Sequence, residues 1–336
     1  MSKNLFITGE RGFIGTNLAK RAKLHGYTFI SGVHEINEDA AYISQYLTEK
    51  GEPCIHRNDE SAWMKFFLDN EIDVVIHNAA VVGTDVVALN SKESTLTNVQ
   101  GTFNICRAAK KCGIPVCYMG TTVIYDTPKY QESAIVEDSD RGPSTFYGCQ
   151  KLAGEEIVKS HCDKWMVVRP LFAYGGEGDM NSLIAKTIYA KLNGVSKVKM
   201  FLDPTKIKDY LHVNDYCDGV FSCINEEKCW NNDFNIAAET PLVTGEIIQL
   251  MDKVCGQSFA DTIEWLPQTE YMGNHILSGR KAREFTGWHP KISLTEGIRM
   301  SFESILKSEG YNPLRYLDEA EESGVDLIDY FNVKNQ

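Results

Sequence analysis

Residues 4–15 read NLFITGERGFIG. The run NLFIT (4–8) is short, apolar and unbroken, as in a buried strand, and GTNLAKRAKLHG (15–26) has helical spacing. The junction between them places Gly9, Gly12 and Gly15 in a G-x-x-G-x-x-G series, with Arg11 before the second glycine and Phe13 and Ile14 before the third. Glycines at these points allow a tight turn and close approach of the backbone to a pyrophosphate. The helix that follows faces the phosphates with free N–H groups and the positive end of its dipole. Gly also marks plain turns. Its place at a strand-to-helix junction of an α/β pattern is what makes this series a dinucleotide-binding expectation.

Outward from that turn the alternation continues. YTFIS (27–31), DVVIHNAA (73–80), PVCYMGTT (115–122) and WMVVRPL (165–171) read as strands buried on both faces, because their apolar runs are continuous. SAWMKFFLDNE (61–71), VQGTFNICRAAKKCG (99–113) and YGCQKLAGEEIVKSH (147–161) read as helices. Gly26 and Gly113 stand where helices end. Strand–helix repetition predicts an α/β fold with a doubly wound parallel sheet. After residue 171 the pattern loosens. Helices are expected near 181–193, 214–226, 244–255 and 294–307, and a short strand at DFNIA (233–237). The predicted organisation is a nucleotide-binding domain over 1–171, a smaller lobe over 172–310 interleaved with it, and an acidic tail over 311–336.

Composition narrows the classes. The chain has 336 residues, 43% hydrophobic and 24% charged, with net charge −12. An acidic chain without a basic stripe is a poor partner for nucleic acid. No apolar run reaches the roughly 18 residues of a membrane helix, and no charged leader with an apolar core precedes the first strand. The ten cysteines show no C-x-x-C pair and no Cys/His set at zinc spacing, so reduced thiols in a cytoplasmic protein, with no metal, are expected. Cys149 reads as a small helix residue.

Three Tyr-x-x-x-Lys pairs occur: Tyr46/Lys50, Tyr125/Lys129 and Tyr147/Lys151. Pro128 interrupts a helix through the second, and the first lies away from any strand end. Tyr147 and Lys151 open a strong helix, share a face, and follow a strand that ends MGTT (119–122). Strand carboxyl ends face the ligand crevice in a doubly wound sheet. Tyr147 and Lys151 can therefore meet the hydroxyls of Thr121 and Thr122 there. A free Tyr titrates near pH 10. A neighbouring ammonium lowers that value, so the phenol can exchange a proton with an alcohol or carbonyl as hydride moves. For the cofactor, an Asp or Glu about 20 residues past the turn meets the ribose 2′-hydroxyl in NAD sites. Ser31, Gly32 and Val33 stand there instead, and Glu35 comes late. Arg11, with His34, could receive a 2′-phosphate. NADP is favoured and NAD remains possible.

These residues carry a resemblance. The chain resembles an extended short-chain dehydrogenase/reductase of the branch that modifies nucleotide sugars, from the glycine turn to about residue 310. The match includes HNAA (77–80), NVQGTFN (98–104), the Tyr147–Lys151 pair, VVRPLFAYG (167–175), KDYLHVNDYCDGV (208–220), FNIAAETPLVTGEII (234–248) and FTGWHPKISLTEGI (285–298). The resemblance implies a Rossmann-type domain with a C-terminal substrate lobe. It implies a catalytic set of Thr121, Tyr147 and Lys151, with Asn98 ordering the turn near the Lys, and Ala79 and Ala80 lining the cofactor groove. It places Lys208 where the family often has an Arg against the substrate's pyrophosphate; Lys supplies the charge without the planar fork. It also implies a homodimer through the helices near 99–112 and 147–161, whose outward faces contain Phe103 and Leu152.

There are departures. His56 stands where the family usually has an Asp near the adenine, and Phe172 where it has a substrate-contacting Asn. Thr121 is followed by Thr122 and Val123 rather than by the Asp-Glu of dehydratases. The expected activity is NAD(P)-dependent reduction of a 4-keto nucleotide sugar, with a 4-epimerase holding NAD tightly as the alternative. A non-catalytic dinucleotide-binding regulator on this fold typically lacks the Tyr or the Lys.

Overall fold

Six parallel strands make the central sheet of the computed structural model: β1 (Lys3–Thr8), β2 (Tyr27–Ile30), β3 (Val74–His77), β4 (Val116–Met119), β5 (Trp165–Pro170) and β6 (Asn232–Ile236). Their order is β6-β5-β4-β3-β1-β2. The structure describes residues 2–31, 60–195, 197–200, 202–266 and 273–309. The expectations on Gly32, Val33, His34, Glu35, His56, the Tyr46/Lys50 pair and the tail 311–336 lie outside the described residues.

The unbroken apolar runs have a direct cause. Alternate residues of each strand enter opposite cores. Leu5, Ile7, Val74, Ile76, Cys117, Met119, Met166 and Val168 join one cluster, and Phe6, Val75, Val116, Tyr118 and Val167 join the other. Covering these faces are α1 (Phe13–Ala22) and α6 (Val213–Asn225) on one side, and α2 (Glu60–Asp69), α3 (Thr102–Cys112) and α4 (Phe146–His161) on the other. A fully buried aliphatic side chain contributes about 1.5–3 kcal/mol. The chain reverses direction across the sheet between β1 and β3, and the crevice outside the carboxyl ends of the strands at such a reversal is where ligands bind in this architecture. This is the doubly wound Rossmann-type fold.

Two details differ from the sequence expectation. The strand at 233–237 does not belong only to the looser second half. It returns to the main sheet as β6 and pairs with β5 from Asn232↔Met166 to Ile236↔Pro170. The helix expected over 99–113 becomes α3 preceded by a π-helical turn, Leu96–Gly101. The second body is built from α5 (Leu183–Leu192), α7 (Thr244–Cys255), α9 (Leu294–Ser308) and short strand pairs, around Ile184, Ile188, Met251, Phe259 and Phe302. The short helix α8 (Arg280–Thr286) packs against the main sheet instead.

Candidate active site

The glycine turn is shaped by contacts that exclude side chains. Gly9 has φ +68°, and a Cβ there would lie 2.9 Å from Ala79 Cα. A Cβ on Gly15 would collide with the Gly9 carbonyl, so α1 can approach the turn only with glycine at that position. Gly12 is the N-cap of α1 with an ordinary φ of −75°, and its side toward the groove meets nothing closer than Gly9 O at 3.3 Å. A cavity of about 240 Å³ opens there, lined by Gly9, Gly12, Phe13 and Ile14 from the turn, Ala80 to Val82 beyond β3, and Met180. Backbone without side chains, facing a groove at a helix N-terminus, fits a dinucleotide pyrophosphate. Arg11 is exposed at the rim.

The far wall comes from the loop after the strand pair Ala173–Tyr174 and Leu211–His212. Asn17 on α1 donates to Glu177 O at 2.8 Å, and Lys20 pairs with the Glu177 carboxylate. Asp179 accepts from Gly175 N (2.8 Å), Ser182 N (3.0 Å) and Ser182 Oγ (2.6 Å), which holds Met180 against the cavity. Asn17 and Asp179 carry no local signal in the sequence for this role.

The end of β3 is fixed by a chain of hydroxyls. Thr8 Oγ1 accepts from Asn78 N (3.1 Å) and Ala79 N (2.9 Å) and donates to His77 Nδ1 (2.8 Å). His77 Nε2 then donates to Thr102 Oγ1 (2.9 Å), whose own proton goes to Asn98 O (2.8 Å). This accounting requires the neutral Nε2–H tautomer. Burial, with the Lys151 charge adding to it, pushes His77 down to about 3, in agreement. The sequence gives no local mark of this role for His77, whose partners Thr8 and Thr102 are distant in the chain.

Asn98 sits in the π turn, 1% exposed. Its Oδ1 accepts from Val81 N (2.8 Å), and its Nδ2 donates to Val81 O (2.9 Å) and Gln150 Oε1 (2.8 Å). Gln150 in turn donates to Ser94 Oγ and Thr95 Oγ1. Asn98 therefore clamps the groove wall to α4 through the residue next to Lys151. Gln150 was missed by sequence reading.

Helix α4 starts at Thr145, whose hydroxyl accepts from Gly148 N at 3.0 Å. Tyr147 is half-buried in its first turn, and Lys151 follows one turn later, 2% exposed. Lys151 Nζ donates to Met119 O at 2.6 Å and lies 4.2 Å from the Tyr118 ring centre. Burial lowers its pKa to about 7, opposed by Glu155. Met119 ends β4; Thr121 follows in extended backbone, half-buried, with its Oγ1 as N-cap to Val123 N, while Thr122 is buried. Lys151 thus reaches the carboxyl end of β4, two residues before Thr121, and Tyr147 stands one turn earlier on the same helix. The structure separates Tyr125 from Lys129: Tyr125 is buried against Arg169 and Asn235, and Lys129 pairs with Asp126 and Asp140 at the surface.

Lys208 and Phe172 lie against each other and are not among the residues lining the glycine-turn cavity. Lys208 is 2% exposed, donates to Gly273 O at 2.9 Å, and stands 5.2 Å from the Phe172 ring centre. Burial lowers its pKa to about 8. Phe172 adopts φ +24°, stacks on Tyr210 and meets His275 edge-on at 5.9 Å. Both ring nitrogens of His275 are buried without a hydrogen-bond partner among the described residues. Sequence reading did not single out His275. Leu152 corrects an expectation: it packs half-buried against the Ile124–Leu171 cluster instead of facing outward, because α4 leans on that cluster. Phe103 is partly covered by His161 and Arg107. Among the described residues no helix is long and apolar enough to cross a membrane.

The chain is similar to the UDP-glucose 4-epimerase of Bacillus subtilis, 26% identical over 87% of this chain and 94% of that protein. Its fold matches the crystal structure of UDP-glucose 4-epimerase with UDP-glucose from Thermotoga maritima, with TM-score 0.75, 21% identity, and coverage of 91% and 99%. It equally matches RMD from Pseudomonas aeruginosa complexed with NADPH, with TM-score 0.75, 18% identity, and coverage of 92% and 100%. The model of the NAD dependent epimerase/dehydratase family matches residues 5–237, and this chain, an extended short-chain dehydrogenase/reductase, belongs to that family.

Proposed function

We propose that the protein moves hydride between a nicotinamide dinucleotide and carbon 4 of a nucleotide-activated sugar. The observation that carries this reading is the Lys151 ammonium seated on Met119 O at the end of β4, two residues before Thr121, on the helix that opens with Tyr147. When bound, the cofactor supplies the hydride donor or acceptor. Gly9, Gly12 and Gly15 receive its pyrophosphate, and Ala79 and Ala80 line its groove. Thr121 Oγ1 holds the reacting sugar oxygen. Tyr147 Oη gives that oxygen a proton as hydride arrives, or takes one as hydride leaves. Lys151 lowers the phenol's pKa through its charge. Asn98 and Gln150 keep the groove wall and α4 in register. The substrate's nucleotide end extends toward Lys208, Phe172 and His275.

Net reduction of a 4-keto sugar is the first form of this reading. It rests on Thr121 being followed by Thr122 and Val123, which supply no carboxyl pair for dehydration. The second form is 4-epimerisation with tightly held NAD. It is favoured by the similarity to the Bacillus subtilis protein and by the Glu10 carboxylate of the glycine turn, which accepts from Ser31 just past β2. A reductase oxidises cofactor in proportion to product; an epimerase carries bound cofactor and shows no net turnover of it. Association as a homodimer through α3 and α4 belongs to the same proposal, and sedimentation of the purified protein tests it.

Tyr147→Phe is expected to retain dinucleotide binding while turnover falls at least about 100-fold, the scale of general acid–base catalysis. Isothermal titration with NADH and NADPH, and turnover with UDP-glucose and its 4-keto form, measure the two separately. Turnover unchanged in that variant refutes the role of Tyr147.

A further inference from the structure

Glu10 follows the first glycine of the turn, and its carboxylate accepts a 2.5 Å hydrogen bond from Ser31 Oγ. Ser31 directly follows β2 (Tyr27–Ile30). It stands where an Asp or Glu, about 20 residues beyond the turn, meets the ribose 2′-hydroxyl of NAD. The acid absent from the end of the strand is therefore brought there by the neighbouring loop. The Glu10 backbone is held in place: Thr16 Oγ1 donates to Glu10 O at 3.1 Å, and a Cβ on Gly15 would lie 2.8 Å from Glu10 Cα. Arg11, the group able to receive a 2′-phosphate, is exposed beside it.

We propose that Glu10 sets the cofactor choice, accepting a hydrogen bond from the 2′-hydroxyl of NAD(H) and repelling the 2′-phosphate of NADP(H). This rests on the reading above that the turn holds a nicotinamide dinucleotide. A like charge placed against a competitor discriminates more strongly than an added contact to the preferred ligand. Ser31 donates to either ligand and so orients the carboxylate without choosing. With Glu10 neutralised, Arg11 is left unopposed, and the same turn takes the phosphorylated cofactor.

Fluorescence or calorimetric titration of the full chain with NADH and with NADPH tests this. Wild type is expected to bind NADH at least about tenfold tighter than NADPH. Glu10→Gln is expected to move the ratio of the two dissociation constants about tenfold or more toward NADPH, and adding Arg11→Ala to that variant removes the gain. An unchanged thermal unfolding curve for Glu10→Gln keeps the comparison one of recognition. Tighter NADPH binding by wild type, or a ratio that Glu10→Gln leaves unmoved, overturns the proposal while leaving dinucleotide binding intact. Absence of binding to either dinucleotide removes the cofactor reading itself along with it.

Discussion

Replacing Lys151 by methionine separates what its charge costs from what it does. The side chain is 2% exposed, and its ammonium donates to Met119 O with the face of the Tyr118 ring beside it. An ammonium in such surroundings is poorly solvated, which is why burial brings its pKa from 10.5 to about 7. The native state then binds fewer protons than the unfolded chain between those two values. Stability contributed at this site is lowest below pH 7, where both states carry the charge, and rises as pH goes from 7 to 10.5. Burying the charge costs a few kcal/mol at neutral pH, partly offset by a charged hydrogen bond of about 1.5–3 kcal/mol. Lys151→Met is therefore expected to be more stable than wild type by about 1–3 kcal/mol at pH 6.5, and the difference should narrow by pH 9.5. Urea unfolding at the two pH values measures this. Turnover should fall at least about 100-fold in the same variant. A variant less stable than wild type at both pH values would show that Lys151 is a structural donor.

Between elements, the joint that holds α4 on the sheet is ionic. Arg169 of β5 is fully buried and makes a two-pronged pair with Glu155 of α4 (2.9 and 2.7 Å), then bonds Asp233 of β6 (2.6 Å) and Tyr125 Oη (2.9 Å). Glu155 lies one turn beyond Lys151, so this joint sets the height of the Tyr147–Lys151 face over β4. Removing one member strands a buried charge. Arg169→Met is expected to cost about 3–5 kcal/mol in urea unfolding, whereas Arg169→Met with Glu155→Leu recovers much of that loss. Recovery absent in the double variant would mean that packing of the Arg stem, rather than charge, holds the joint. The same joint shows what could and could not be read beforehand. Strands β1 to β5 were legible because a strand apolar on both faces has an unbroken run. Helix α4 was legible through its spacing and the Tyr147–Lys151 pair. The membership of β6 in the main sheet was not, because Asp233 meets Arg169 across 64 positions of chain and Phe234 has no local mark of its destination. The π turn that aims Asn98, the clamp through Gln150, and Glu10 reaching Ser31 are also contacts between distant residues. A motif names the residue that touches substrate; it does not name what holds that residue still.

For the molecule as a whole, the buried histidines set how it meets acid. His77, His212 and His275 lie in three different parts of the fold, and burial is the main reason that each is held neutral, at about 3, 4 and 3. Unfolded, each would take up a proton near pH 6.5. Below that pH the unfolded chain binds more protons, so stability falls as pH drops, and continues to fall until each folded value is passed. Three such groups give a slope approaching about 4 kcal/mol per pH unit. Asp209 acts in the opposite sense: burial raises it to about 6, so its carboxyl is protonated in the native state first and returns some stability between pH 6 and 3.8. Glu137 and Asp215, also raised by burial, act with Asp209, while Asp218, Asp233 and Glu239, each held below its usual value, act with the histidines, so the net effect is destabilising. A folding free energy of about 5–15 kcal/mol would be exhausted within a few pH units, so unfolding is expected near pH 4. His275 allows the cause to be isolated, because its two ring nitrogens have no partner among the described residues and nothing is stranded by removing them. His275→Phe is expected to be about 1–2 kcal/mol more stable at pH 5 than wild type and to reduce the acid slope by about a third. Circular dichroism against pH, from 7 to 3, measures both. If the variant unfolds at the same pH with the same slope, the acid sensitivity lies in the carboxylate pairs around Arg169, and Glu155 and Asp233 become the groups to titrate next.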